Sequence, residues 1–461
     1  MTVPSAGSQA RFFYCPISID RFLNIRLDFQ PADEFRTDCS LLEKAKPSCQ
    51  NSKMDIRQRL TDLLGLGLIK SERKSRPAKS ESVAGYLGGS LISGSHGEYI
   101  QIEKSFKPSY RHGSVCLSDL TSVNRETSRF ILKDQSTGVD LSRTIFLDTE
   151  TTGLSGGSGT CAFLVGAGFF DGNSFILRQF FMQDYNQEKP VLQALSGLLS
   201  DFSHIVTYNG KSYDLPLLGT RYILNRIKSP LKFDSHLDLL FPARRIWKRR
   251  LKDCSLSNLE NKVLGLERTA DIPSYLIPQA YFDFLRTGEL NKLHDIIDHN
   301  SGDILSLAAL LLQVSRLVNN PQESDSAHPE ELLSLGLQFY YTREWDKAGQ
   351  YFDRAVKRVS GGGFYLDAHL FKGRLYKKQG KWQDAQVVWK NIISENPDFC
   401  LEPHLELAKF YEHRARDLKQ ALATVERLLE NLELDFLKGN YSPVIQGLDY
   451  RKARILRKLR T

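Results

Sequence analysis

Three apolar, β-rich runs follow one another closely: TIFLDTETTGL from Thr144, CAFLVGAGFF from Cys161 and SFILRQFFMQD from Ser174. They are near enough in sequence to pair as a meander of hairpins. The period then changes. KPVLQALSGLLSDF reads as a helix, SHIVTYNG as a short strand and SYDLPLLGTRYILNRI as another helix. The order βββαβα predicts an α/β domain with a mixed sheet over residues 143–317, closed by a helix from about Glu289 to Leu317.

The flanks read differently. Residues 1–53 hold no period and read as an irregular extension, of a composition that allows disorder. Met54 opens MDIRQRLTDLLGLGL, a short amphipathic helix with Ile56, Leu60, Leu63 and Leu64 on one face. Either Met54 is the functional start, or residues 1–53 are a genuine extension; intact mass decides. Residues 70–82 read as a polar linker. The segment from Tyr86 to Leu117 reads as a small β element, and 118–142 as a partly helical connector. The helix, linker, β element and connector together make a segment of 54–142.

After a polar linker at 318–328, residues 329–461 repeat. Ala348, Ala385 and Ala421 lie 37 and 36 residues apart. Around the first stand Leu335, Gly336, Phe339, Phe352 and Ala355; around the second, Gly373, Tyr376, Trp389 and Pro397; around the third, Ala408 and Tyr411. Small residues that let paired helices approach, with aromatics filling the gaps, predict TPR-like helical repeats.

Composition narrows the function classes. With 461 residues, the chain is long enough for about three domains. Its formal net charge of +8 permits an anionic partner. Seven scattered cysteines with no CxxC argue against a disulfide scaffold or a cysteine zinc site and fit a reducing cytoplasm. The longest clean apolar run, Cys161 to Phe170, is ten residues, against the roughly 20 that a membrane helix needs. No signal peptide is visible.

Three places carry chemistry. In IFLDTETTG, Asp148 and Glu150 are two apart on a strand, so they face one side. Like charges at the end of an apolar strand repel unless a cation lies between them, and such oxygen ligands suit Mg²⁺ or Mn²⁺. In YNGKSYDLPLL, Asp214 follows a strand and starts a helix; alone it reads equally as a first-turn acid that stabilises the helix. In DIIDHNSGDILSL, His299 and Asp303 are four apart and share a helix face; alone they read as a solvated polar stripe.

Taken in order, a D-x-E strand, an N-x3-[FY]-D junction and an H-x3-D helix resemble the DEDD exonuclease superfamily of the ribonuclease H-like fold. The longer stretches FLDTETTGLSGGSGT, YNGKSYDLPLL, HLDLLFPARRIWKRRL and HNSGDILSLAALL resemble the YprB-type ribonuclease H-like domain family, which often carries a TPR segment. The resemblance covers residues 143–317 most strongly. It implies that Asp148, Glu150, Asp214 and Asp303 hold two divalent ions (Mg²⁺ or Mn²⁺) about 3.5–4 Å apart, bridged by Asp148. It also implies that His299 takes or steers the proton of the attacking water. The expected activity is 3′–5′ exonucleolytic hydrolysis of single-stranded DNA or RNA. One departure stands out. DEDD enzymes with a tyrosine have it four residues before the last Asp, and those with a histidine usually five before. His299 occupies the tyrosine spacing and Asp298 the histidine spacing. A five-residue offset turns about 140° beyond a full helical turn, whereas four residues leave His299 nearly above Asp303.

Nucleic-acid contact has one candidate segment, FPARRIWKRRLK. It holds Arg244, Arg245, Lys248, Arg249, Arg250 and Lys252, with Trp247 inside. Guanidinium groups suit phosphates, and an aromatic offers a base a stacking platform. The alternative is a solvated helix face. By the resemblance, Thr151, Thr152 and Gly153 contact the terminal nucleotide. The Gly153–Gly159 segment lacks the Gly-Lys-Ser/Thr ending of a P-loop and reads as a hairpin turn. His236 and Asp238 read as a structural pair, and His112 and Gly113 as a turn. Two further classes stay open: a nuclease fold that binds nucleic acid with little or no turnover, and a scaffold whose TPR-like segment binds a protein partner.

Overall fold

The structure is a computed structural model that describes residues 80–120, 123–133, 138–153, 159–269, 271–319, 327–358, 363–395, 400–435 and 442–460. The expected extension at 1–53, the helix from Met54 and most of the 70–82 linker lie outside these residues.

The strands, in chain order, are β1 (Ser90–Gly94), β2 (Gly97–Phe106), the two-residue pair β3 (Arg111–His112) and β4 (Val115–Cys116), β5 (Thr144–Thr151), β6 (Ala162–Asp171), β7 (Ser174–Phe181), β8 (His204–Thr207) and β9 (Ser235–Asp238). Strand β5 carries Ile145, Phe146 and Leu147 with no exposed surface, so both of its faces need cover. It lies inside a seven-stranded sheet of order β1-β2-β7-β6-β5-β8-β9. β5, β6 and β7 pair antiparallel as the meander expected of them, while β8 and β9 add on in parallel. The sheet is therefore mixed.

The expected small β element is not separate. β2 pairs with β7 from Ile100↔Phe181 to Phe106↔Phe175, and β1 pairs with β2. The buried side chains of β2, Ile100 and Ile102, explain this: a two-stranded hairpin alone has no core in which to bury them. The sheet thus takes two strands from ahead of residue 143.

The helices are α1 (Ser80–Tyr86), α2 (Arg125–Leu132), α3 (Glu188–Leu199), α4 (Asp214–Leu224), α5 (Leu240–Leu251), α6 (Ile277–Thr287) and α7 (Leu293–Asn319), with a short helical turn at Leu256–Leu264 between α5 and α6. Alternation along β5 divides the cover. Ile145 and Leu147 share a core with Val191, Leu195, Leu218 and Tyr222 of α3 and α4. Phe146 shares the other core with Ile246 and Trp247 of α5 and Ile304, Ala308 and Leu311 of α7. Among the described residues, only α7 is long and apolar enough to cross a membrane, and 78% of its most apolar stretch is buried in the fold.

Helices α8 (Pro329–Tyr341) and α9 (Trp345–Lys357), α10 (Gly363–Lys378) and α11 (Trp382–Glu395), and α12 (Leu401–Phe410) and α13 (Leu418–Asp435) pack in pairs, followed by α14 (Ser442–Arg460). Ala348, Ala385 and Ala421 are fully buried. A Cβ on Gly336 would fall 2.5 Å from the Phe352 ring, and one on Gly373 2.6 Å from Trp389. These glycines let the paired helices approach. The first pair is continuous with the sheet domain: Leu332, Leu333, Tyr351 and Phe352 belong to the core that contains Phe146. The Tyr351 hydroxyl donates to the carbonyls of Leu317 (2.6 Å) and Val318, capping the end of α7.

Candidate active site

Asp148 and Glu150 end the buried run of β5 and face the side covered by α7. The helix comes close there because β6 is glycine-rich. Asp148 pairs across the sheet with Gly166, and Gly166 with Gln179 of β7. Asn300 of α7 lies over this row. It donates from Nδ2 to Asp148 Oδ2 at 2.8 Å and accepts at Oδ1 from Gln179 Nε2 at 2.9 Å. A Cβ on Gly166 would sit 2.2 Å from Asn300 Oδ1; one turn along, a Cβ on Gly168 would meet Ile304 at 2.5 Å. Gly166→Ala is expected to push Asn300 off Asp148. Overpacking of this kind costs about 1–3 kcal/mol, which a denaturant melt would read as a lower midpoint with an unchanged slope. A wild-type midpoint would contradict the close approach.

His299 and Asp303, one turn apart on α7, meet Glu150. His299 Nε2 lies 3.9 Å from Glu150 Oε1 and 3.7 Å from Asp303 Oδ2. Oxygen and nitrogen atoms of these three residues lie within 4.8 Å of one another, close enough to hold one ion. Of the two spacings, the four-residue one brings a side chain, His299, to the cluster. Asp298, at the alternative position, is largely exposed and pairs with Lys104 at 2.8 Å. His299 is fixed from behind, where Nδ1 donates to Asp271 Oδ1 at 2.7 Å; Ser274 Oγ lies 3.3 Å from Nε2, the nitrogen that also faces Glu150 and Asp303. A carboxylate on the far nitrogen sets the tautomer of an imidazole. Asp271 gave no signal in the sequence, because it lies 28 residues upstream in an irregular segment.

Asp214 reaches the same strand end from the opposite face. It starts α4 and is buried, and Thr149, which points away from Asp148 and Glu150, donates to its Oδ1 at 2.5 Å. Asp214 lies outside the close trio, but its charge acts on both Asp148 and Glu150.

The electrostatics are those of crowded anions. Burial, and then the charges of Asp303 and Asp214, push the Asp148 carboxyl well above the usual carboxylate range. Burial, and then Asp148 and Asp303, do the same to Glu150. Burial lifts Asp214 to about 6 against the opposing bond from Thr149. Groups raised in this way favour the fold most when protonated, below their unfolded pKa near 4, and that contribution is lost as pH rises through the folded values. Protein stripped of divalent ions is therefore expected to melt at a lower temperature at pH 8 than at pH 5. Thermal denaturation in EDTA across that range checks the sign; a rise toward pH 8 would show that other groups dominate.

Hard carboxylate oxygens with one imidazole are a donor set suited to Mg²⁺ or Mn²⁺. One cation is already present. Arg268 pairs through Nη2 with Asp303 Oδ1 and with Glu260, and donates from Nη1 to the His299 carbonyl at 3.1 Å.

The basic helix α5 is divided. Trp247 is fully buried in the core beneath α5, so it cannot serve as the expected stacking platform; its indole fills the space between α5 and the helices packed on it. Arg245 donates to the carbonyls of Phe130 and Ile131 at the end of α2, and burial pushes its guanidinium down to about 10. Arg249 pairs with Asp367 at 2.9 Å and Arg250 with Glu331, which ties α5 to α10 and α8. Arg244, Lys248 and Lys252 remain, four residues apart. They line a recess of about 640 Å³ with Tyr208 and Asn209, which follow β8. The recess thus opens at the carboxyl ends of the parallel strands, as the acidic cluster does. Of the expected nucleotide contacts, Thr151 Oγ1 donates to the Gly153 carbonyl and lies 3.0 Å from the Tyr213 hydroxyl, while Thr152 Oγ1 accepts from the Cys161 amide. Both threonines hold the start of the hairpin. His236 shares a hydrogen bond with Thr207, and Asp238 accepts from the amides of Asn209, Lys211 and Leu240, so that pair is structural.

A mixed sheet with an antiparallel meander and parallel additions, carrying acidic residues on β5, α4 and α7, is a ribonuclease H-like architecture, and the family model of the RNase_H superfamily matches residues 145–314. Over a longer span, the uncharacterized protein YprB of Bacillus subtilis (strain 168) is 31% identical across 339 residues, 72% of this chain and 81% of that protein. The chain belongs to the YprB family of ribonuclease H-like proteins. Among solved structures, the family B DNA polymerase of Pyrobaculum calidifontis aligns over 45% of this chain and 30% of its own, at 14% identity and a TM-score of 0.32.

Proposed function

We propose that this protein is a metal-dependent 3′–5′ exonuclease that hydrolyses phosphodiester bonds of single-stranded DNA or RNA by a two-metal mechanism. The observation that carries the reading is the meeting of Glu150, His299 and Asp303, with Asp148 and Asp214 close enough for their charges to raise the pKa of Glu150. Asp148, Glu150, Asp214 and Asp303 would hold Mg²⁺ or Mn²⁺, which supplies an activated water and neutralises charge on the leaving oxygen. His299, held by Asp271, would accept or steer a proton at Nε2. Arg244 and Lys248 would take the phosphate backbone. The helical pairs would offer a surface to a protein partner.

The pairing of Arg268 with Asp303 favours a second reading, a nucleic-acid-binding protein with little turnover. One assay separates the two. End-labelled single-stranded DNA and RNA are incubated with Mg²⁺, Mn²⁺ or EDTA, beside an Asp148→Asn/Glu150→Gln variant. A metal-dependent ladder from the 3′ end that the variant lacks supports the exonuclease. Binding without cleavage under either metal supports the second reading.

A further inference from the structure

Arg268 lies in an irregular segment far from any motif, yet it sits in the middle of the acidic site's supports. Its guanidinium meets Asp303 and Glu260, lies 3.5 Å from Asp271 Oδ2, and donates to the His299 carbonyl. Its place is built into α7: a Cβ on Gly302 would fall 2.8 Å from Arg268 Cζ, so the helix has no side chain where the guanidinium lies. Glu260 is secured in turn by the Ser306 hydroxyl, which lies 2.7 Å from His112 Nε2. Asp303 divides its oxygens. Oδ1 faces Arg268, and Oδ2 faces His299. Burial works against charge on Arg268, but Asp303 and Glu260 outweigh it and hold the guanidinium above its ordinary pKa.

We infer that Arg268 is the resident counter-cation of the acidic site: it keeps Asp303 and Glu260 in place when no divalent ion is bound, and it lowers the site's affinity for that ion. The inference rests on the divalent-ion reading above. A purely structural arginine would support the fold equally with and without metal. A counter-cation stabilises the metal-free state more, because a bound divalent ion does part of the same work and is repelled by the guanidinium.

The test uses the full chain, stripped of metal, as wild type, Arg268→Gln and Arg268→Lys. Mn²⁺ affinity is read by calorimetry, and the melting temperature is taken with and without Mn²⁺. The Gln variant is expected to melt below wild type without metal, to bind Mn²⁺ roughly tenfold more tightly, and to gain more melting temperature on Mn²⁺ addition. The Lys variant, which keeps the charge, is expected to respond like wild type. Gly302→Ala, which displaces the guanidinium without deleting it, is expected to move in the same direction as Gln. A Gln variant whose Mn²⁺ response equals or falls below that of wild type overturns the inference. A wild type that neither binds Mn²⁺ nor gains melting temperature overturns the divalent-ion reading itself, and the inference with it.

Discussion

Changing Asp148 to Asn and Glu150 to Gln together is expected to abolish metal-dependent cleavage while raising the melting temperature of the metal-free protein. The two effects share one cause. Asp148 and Glu150 are largely buried beside Asp303 and Asp214, and their raised pKa values report the cost of ionising so many anions together. Amides remove that repulsion without removing volume. An Asn at 148 still offers an oxygen to Asn300 Nδ2, so the row from Asp148 through Gly166 to Gln179 persists. The same exchange removes the charge that would hold the divalent ions. Losing about 4 kcal/mol of charge stabilisation slows a reaction about 10³-fold. The measurement pairs the cleavage assay with thermal melts in EDTA. A variant that cleaves at the wild-type rate would remove these carboxylates from the chemistry. A variant that melts lower would show them to be structural.

Where the sequence was readable, a short-range pattern matched a local force. The apolar run IFL before Asp148 needs cover on both faces, and β5 is interior. The four-residue spacing of His299 and Asp303 puts both on one helix face, and they meet at 3.7 Å. The residues that complete the site carry no such pattern. Asp271, Arg268 and Glu260 lie in irregular or tightly turned segments, and their roles arise only when α7 brings residues 299–306 against them. Gly166 and Gly168 were visible as glycines in a strand, but the close helix they admit lies more than 130 residues away. The β1–β2 hairpin was legible as strands and not as part of the main sheet, because edge pairing with β7 is set by Ile100 and Ile102 finding a common core.

The basic segment shows how a composition signal divides once a helix has faces. FPARRIWKRRLK suggests one binding surface; α5 turns Arg245, Arg249, Arg250 and Trp247 toward protein and leaves Arg244, Lys248 and Lys252 around the recess. Trp247→Ala is therefore expected to cost about 3–5 kcal/mol, the usual loss for emptying a buried aromatic site. Arg244→Ala/Lys248→Ala is expected to leave the melting temperature near wild type, because neither side chain is tied into the core. It should weaken single-strand binding instead. If each residue neutralises one phosphate, the slope of log affinity against log salt becomes shallower by about 1.4. Denaturant melts and salt-dependent binding titrations on both variants give four numbers. A Trp247→Ala protein with wild-type stability and poor binding would restore the indole as a stacking platform. An Arg244→Ala/Lys248→Ala protein with an unchanged salt slope would move the nucleic-acid path off α5.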